Sequence, residues 1–222
     1  TRTLQGSCWT TAFPNTGDSL MTLTRRTFAL GGLALPGCTA INSLNNAAQP
    51  RDTYELQPDF VPAQGARSAR SLLVLVPTAP AAITSDRILI RQDPLSVTYL
   101  PDARWSAEVP QMLQSVLIQT LAGTGRLGYV GAQGAGPVPD TVLLTRIDAF
   151  DVTAQSGGSF QARISCELTV LRDRDQRVLG TRRFAQALPL ANDRTTTIVG
   201  AFQQLLDALL PEATTWVLAR AR

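Results

Sequence analysis

The sequence predicts an α/β fold: a single three-layer-like domain in which a mixed sheet, with an antiparallel three-strand meander, packs against two main helices. Three observations predict it. Apolar residues recur at spacings of three and four from Trp105 to Leu121 and again from Ile198 to Val217, the period of a helix with one buried face. From Ala162 to Val170 apolar and polar residues alternate, the period of a half-buried strand. Leu72-Leu73-Val74-Leu75-Val76 is a continuous apolar run ending at Pro77, as expected of a strand covered on both faces.

In chain order, Thr53-Tyr54-Glu55-Leu56 reads as a short strand bounded by Pro58, and a loop around Pro62 to Ser68 leads into the run at Leu72. Ile88-Leu89-Ile90 and Val97-Thr98-Tyr99 flank an Asp93-Pro94 turn as two short strands. The first helix opens at Ser106 or Pro110, since a first turn tolerates proline, and Gly123 and Gly125 end it. Its buried stripe is Trp105, Val109, Met112, Leu113, Val116, Leu117 and Leu121, with Gln111, Gln114 and Gln119 facing water. Gly131 to Pro139 is a flexible crossing loop. The meander follows: Thr141 to Val152, a turn at Gly157-Gly158, the alternating strand, a charged tip at Arg172-Asp173-Arg174-Asp175, and a return over Val178 to Leu188. One face of this meander is wet unless a partner covers it. A final helix, capped by Asn192 or Asp193, buries Ile198, Phe202, Leu205, Leu206, Leu209, Trp216 and Val217, and Pro211 imposes a kink or a brief break.

Ahead of this domain lies an export signal. Arg25-Arg26 precede an apolar run too short to span a bilayer, and the run ends in Leu35-Pro36-Gly37-Cys38. That ending resembles the bacterial lipobox, in which cleavage before the cysteine exposes a thiol that carries lipid, so Cys38 is the expected lipid attachment residue. Arg25-Arg26 with Phe28 resemble a twin-arginine signal, and a general secretory signal with two arginines fits as well. The expected organisation is a non-native or mis-annotated leader over 1–20 with Met21 as initiator, a lipoprotein signal peptide over 21–37, a flexible tether over 38–52 and one domain over 53–222.

Composition narrows the chemistry. The net charge of +3 and pI of about 9.1 come from scattered arginines without a basic run, which argues against nucleic-acid binding. The bias suits anionic headgroups, at about 1 kcal/mol for each well-placed basic side chain. The chain has no histidine, which removes Cys-His and Ser-His-Asp catalysis and the commonest metal ligand. With Cys8 in the leader and Cys38 acylated, Cys166 has no disulfide partner and reads as a small core residue. The Gly-rich loop has no GK[ST] behind it and opens no helix, so it is not a phosphate cradle. Asp148 and Asp151 sit on one strand at a spacing that points them to opposite faces, which excludes a paired acid and base. Trp105 reads as a core anchor, with a partner's pocket as the alternative, and Arg104, Arg182 and Arg183 as solvated surface, with a partner or lipid headgroups as the alternative. No catalytic, metal or cofactor site is expected.

Ile88-Leu89-Ile90-Arg91, then Val97-Thr98-Tyr99-Leu100 running into Arg104-Trp105-Ser106-Ala107-Glu108-Val109-Pro110, with Gly200-Ala201-Phe202 and Trp216 near the end, carry a family resemblance. From Tyr54 to the last helix the chain resembles the ABC-type transport auxiliary lipoproteins, a group that includes the third component of paraquat-inducible lipid-transport systems. The resemblance implies a non-catalytic adaptor on a lipid anchor facing the periplasm. Its implied partners are an MCE-domain protein, a permease and an ATPase that move lipids or hydrophobic compounds between envelope membranes. Thr39 rather than Asp after Cys38 directs the anchor to the outer membrane under the usual sorting rule, with the inner membrane as the exception. A homo-oligomer is compatible with the sequence. The alternative function is an outer-membrane lipoprotein that regulates a peptidoglycan synthase, and the neighbouring genes would separate the two.

Overall fold

The computed structural model describes residues 51–58, 65–134, 136–155 and 157–221. The expected leader, the expected signal peptide and residues 38–50 of the expected tether lie outside the described residues. In order, the elements are β1 (Asp52–Tyr54), β2 (Ser71–Val74), β3 (Arg87–Arg91), β4 (Thr98–Trp105), α1 (Val109–Gly123), β5 (Tyr129–Gly131), β6 (Thr141–Ala154), β7 (Phe160–Arg172), β8 (Arg177–Leu190) and α2 (Thr195–Arg220). They form the expected α/β domain, with one mixed eight-stranded sheet and two helices.

Strand β6 is the spine of that sheet. One edge carries parallel β2 over Thr141–Leu143 and parallel β3 at Val152 and Thr153. The other edge carries antiparallel β7 along its whole length, and β8 completes the meander. Strand β5 extends β2, while β4 and then β1 extend β3. The alternation in β7 falls as predicted: Ala162, Ile164, Cys166, Leu168 and Val170 are all buried. Helices α1 and α2 touch each other and share one apolar core with these residues. At its centre, Phe202 of α2 stacks on Phe150 of β6 with centroids 4.7 Å apart, and Trp105 meets both rings edge-on.

Several boundaries differ from expectation, each for a local reason. Trp105 closes β4 instead of opening a helix, because its N–H donates to the Asp86 carbonyl. Helix α1 starts at Val109, whose N–H donates to the Ser85 carbonyl, and Pro110 occupies the first turn. Gln114 does not face water: its Nε2 donates to the Val74 carbonyl at 2.9 Å, where β2 ends. Neither Asn192 nor Asp193 is the α2 cap; Arg194 takes that position. Asn192 instead tightens the preceding turn, its Oδ1 accepting from the Arg194 N–H and the Thr197 hydroxyl. Pro211 does not break α2, which runs unbroken to Arg220 with Leu209, Leu210, Ala213 and Trp216 buried around it.

Candidate functional site

The face of the meander turned away from the helices carries the densest charge chemistry of the described residues. On this face Asp151 of β6 accepts from Arg91 of β3 at 2.8 Å and from Arg163 of β7 at 3.0 and 3.1 Å. Beside it Asp148 accepts from Arg146 Nε at 2.9 Å and from Arg183 of β8. Arg146 also reaches Glu167 of β7 at 2.8 Å. Four guanidinium groups and three carboxylates thus lace β3, β6, β7 and β8 together, each acid held by arginine.

The placement of the two aspartates overturns the sequence expectation. Strict alternation sends positions 148 and 151 to opposite faces, yet both line one groove of about 700 Å³ with Arg91 and Arg163. The cause is a β-bulge: Ile147 pairs with Cys166 and Ala149 with Ser165, so Asp148 is the extra residue and the alternation restarts one step late. Sharing a face does not make them an acid and base. Asp148 is held below the ordinary carboxylate range, chiefly by the Arg146 hydrogen bond and next by that of Arg183, so it carries no proton to give near neutrality.

That depression has a consequence for acid stability. With the folded pKa below the unfolded one, Asp148 contributes its full stabilisation above the ordinary carboxylate range and loses it as pH falls through the folded value. Urea midpoints followed from neutral pH to about pH 3 should fall less steeply in Asp148→Asn than in the native chain. Parallel acid limbs in the two proteins would contradict the lattice.

The other predicted residues settle as follows. Cys166 is buried in the core, and burial, followed by the charge of Asp148, pushes its thiol up to about 12. Native protein treated with maleimide should stay unmodified at Cys166 and react there in urea; labelling without denaturant would contradict this burial. Trp105 is the expected core anchor at 1% exposure. The Gly-rich loop is shaped by packing: a side chain at Gly131 or Gly136 would run into the Tyr129 ring, and Gly136 has a φ of +102°. Arg104 meets Asp86 and donates to Thr53, Arg182 pairs with Glu212 across the Phe184 ring, and Arg183 holds Asp148, so these are intramolecular braces as well as surface. No group of three or more His, Cys, Asp or Glu able to hold a metal occurs among the described residues. Arg25, Arg26, Leu35, Gly37 and Cys38 lie outside the described residues.

The fold defines a class: an open mixed-sheet α/β domain with its helices on one side and a charge-laced face on the other. The chain belongs to the ABC-type transport auxiliary lipoprotein component family, which matches residues 54–213. Among solved structures, protein XCC0632 from Xanthomonas campestris, of family DUF330, is similar at 24% identity and a TM-score of 0.70, over 76% of this chain and 95% of that one. An uncharacterized protein matches at 16% identity and a TM-score of 0.59, over 76% of this chain and 99% of its own. At these identities the likeness concerns the fold alone. No curated protein matches the chain.

Proposed function

We propose that this protein is the lipid-anchored auxiliary subunit of an ABC-type transport system, a non-catalytic adaptor at the periplasmic face of the outer membrane. In this reading it couples an MCE-domain protein to a permease and an ATPase that move lipids or hydrophobic compounds between envelope membranes. The observation that carries it is the family match, which runs from the end of β1 into the second half of α2 and so covers nearly every element of the domain. The sequence before the domain supports the same reading: Arg25-Arg26, the apolar run and Leu35-Pro36-Gly37-Cys38 come in the order that secretion and acylation need. Arginine-locked acids and a thiol sealed in the core agree with a coupling role.

Two measurements test it. Metabolic labelling with a fatty-acid probe should mark the native chain and fail on Cys38→Ser. Crosslinking in intact cells followed by mass spectrometry should recover the transporter subunits. Equal labelling of both chains removes the anchor, and recovery of cell-wall synthases in place of transporter subunits replaces the adaptor reading with the regulatory one.

A further inference from the structure

The hairpin joining β3 to β4 carries the most exposed large apolar side chain among the described residues, Leu95, at 98%, with Val97 beside it at 44%. This is no loose loop. Asp93 Oδ1 accepts from the N–H groups of both Leu95 and Ser96 at 2.8 Å, and its other oxygen accepts from the Ser96 hydroxyl, so a closed Asx turn holds the leucine outward. Beside this hairpin, Ile90, Leu100, Val152, Phe160, Leu190 and Ile198 line a mostly apolar slot of about 170 Å³. Val138 and Val178 are also exposed, at the other end of the sheet, but the cleft there is lined largely by arginine and aspartate, whereas at the hairpin end the exposed leucine adjoins an apolar slot.

Chain direction says what faces that end. Strand β1 runs parallel to β4, with Asp52 beside Ala103 and Tyr54 beside Trp105. Strand β4 itself begins at Thr98, next to the hairpin tip. From Ala103 back to Thr98 is five residues, about 17 Å of strand. The chain therefore enters β1 from the hairpin side, and the tip stands roughly that far beyond the point of entry. Twelve residues separate Cys38 from Arg51, and a flexible chain of that length spans about 20 Å r.m.s.. A chain of that length entering from the hairpin side leaves the tip within reach of a bilayer anchored at Cys38.

We infer that the β3–β4 hairpin is a membrane-docking tip: Leu95 and Val97 enter the interfacial layer of the bilayer to which the protein is anchored, orienting the domain with its other end toward the periplasm. The inference rests on the lipid-anchor reading above. Tethering keeps the tip close to the surface, so two apolar side chains suffice to bias orientation. Charge does not drive the contact: Asp93 and Asp193 are acidic, and the neighbouring Arg91 and Arg163 are held by Asp151. The opposite end has the excess of base, with Arg70, Arg172, Arg174 and Arg220 against Asp140 and Asp173 in a separate cleft. Attraction to anionic lipid alone would turn the domain over, so the two orientations are distinguishable.

The test uses the acylated chain purified from bacterial envelopes. Leu95→Cys and, as the opposite-end control, Val178→Cys each carry an environment-sensitive fluorophore; both native side chains are exposed, so neither change disturbs the core. The proteins are placed on vesicles of phosphatidylethanolamine and phosphatidylglycerol containing a lipid-borne quencher, and the mass of the mature N-terminus is measured on the same samples. The expected result is a blue shift and loss of fluorescence at position 95, persisting in high salt, with neither at 178. Quenching at 178, at both positions or at neither, with Cys38 acylated, overturns the docking tip and leaves the anchor standing. An unacylated Cys38 overturns both. A probe at 95 that stays wet on vesicles but crosslinks to a protein in cells assigns the tip to a protein partner and overturns the membrane contact.

Discussion

Phe202→Ala is expected to lower the stability of the domain by about 3–5 kcal/mol, read as a fall in the urea midpoint at unchanged slope. Phe202 is fully buried and joins three elements at one point. Its ring stacks on Phe150 at an interplanar angle of 17° and receives the edge of Trp105 at 89°, with centroids 5.4 Å apart. Truncation therefore removes an aromatic side chain from α2, leaves a cavity between β4 and β6, and strips two rings of their partner. The surroundings cannot collapse easily, because Trp105 and Phe150 are each pinned in a strand. Phe202→Leu keeps most of the volume and should lose clearly less than the alanine variant. Equal losses in the two variants would mean that ring contacts, not the cavity, dominate; a loss below about 1.5 kcal/mol for alanine would show the site to be plastic.

Asp151→Ala is expected to destabilise by about 2–3 kcal/mol. Breaking a buried ion pair by removing one partner ordinarily costs about 3–5 kcal/mol, since the remaining charge is left without compensation. Here the carboxylate is 1% exposed, but Arg91 and Arg163 keep 26% and 39% of their side-chain surface and regain water when it leaves, which reduces the penalty. Position matters as much as charge. Strands β3 and β6 pair over only Ile90–Val152 and Arg91–Thr153, so the Arg91–Asp151 contact secures a short seam. The triple variant Arg91→Met, Asp151→Leu, Arg163→Met should recover most of the loss, because it removes all three charges together. If it is no more stable than Asp151→Ala, the lattice contributes net stability beyond mutual neutralisation.

Much of this domain is readable from residue order because its strongest signals are local. The stripe from Val109 to Leu121 and the alternation from Ala162 to Val170 each report burial on one element, and both hold in the fold. What escaped needs a partner strand to define it. The bulge at Asp148 is an extra residue only relative to β7, so strict alternation misplaced the aspartates. The arginine lattice joins positions as distant as Arg91 and Asp151, and nothing in either neighbourhood announces the other. Strand β5 is three residues abutting a Gly-rich stretch and becomes a strand through its parallel pairing with β2, whose partners lie dozens of positions earlier. Asn192 has the chemistry of a cap, and only the geometry shows it closing the turn before one.

The shared use of β6 governs how the domain comes apart. Its first residues hold the β2–β5 ladder and its last hold the β3–β4–β1 ladder, while β7 clasps the full length opposite. Neither ladder can detach without exposing part of the one strand both depend on. Amide protons along the middle of β6 should then exchange only through global opening, and denaturation should follow a single cooperative step, the behaviour that makes midpoint comparisons among variants meaningful.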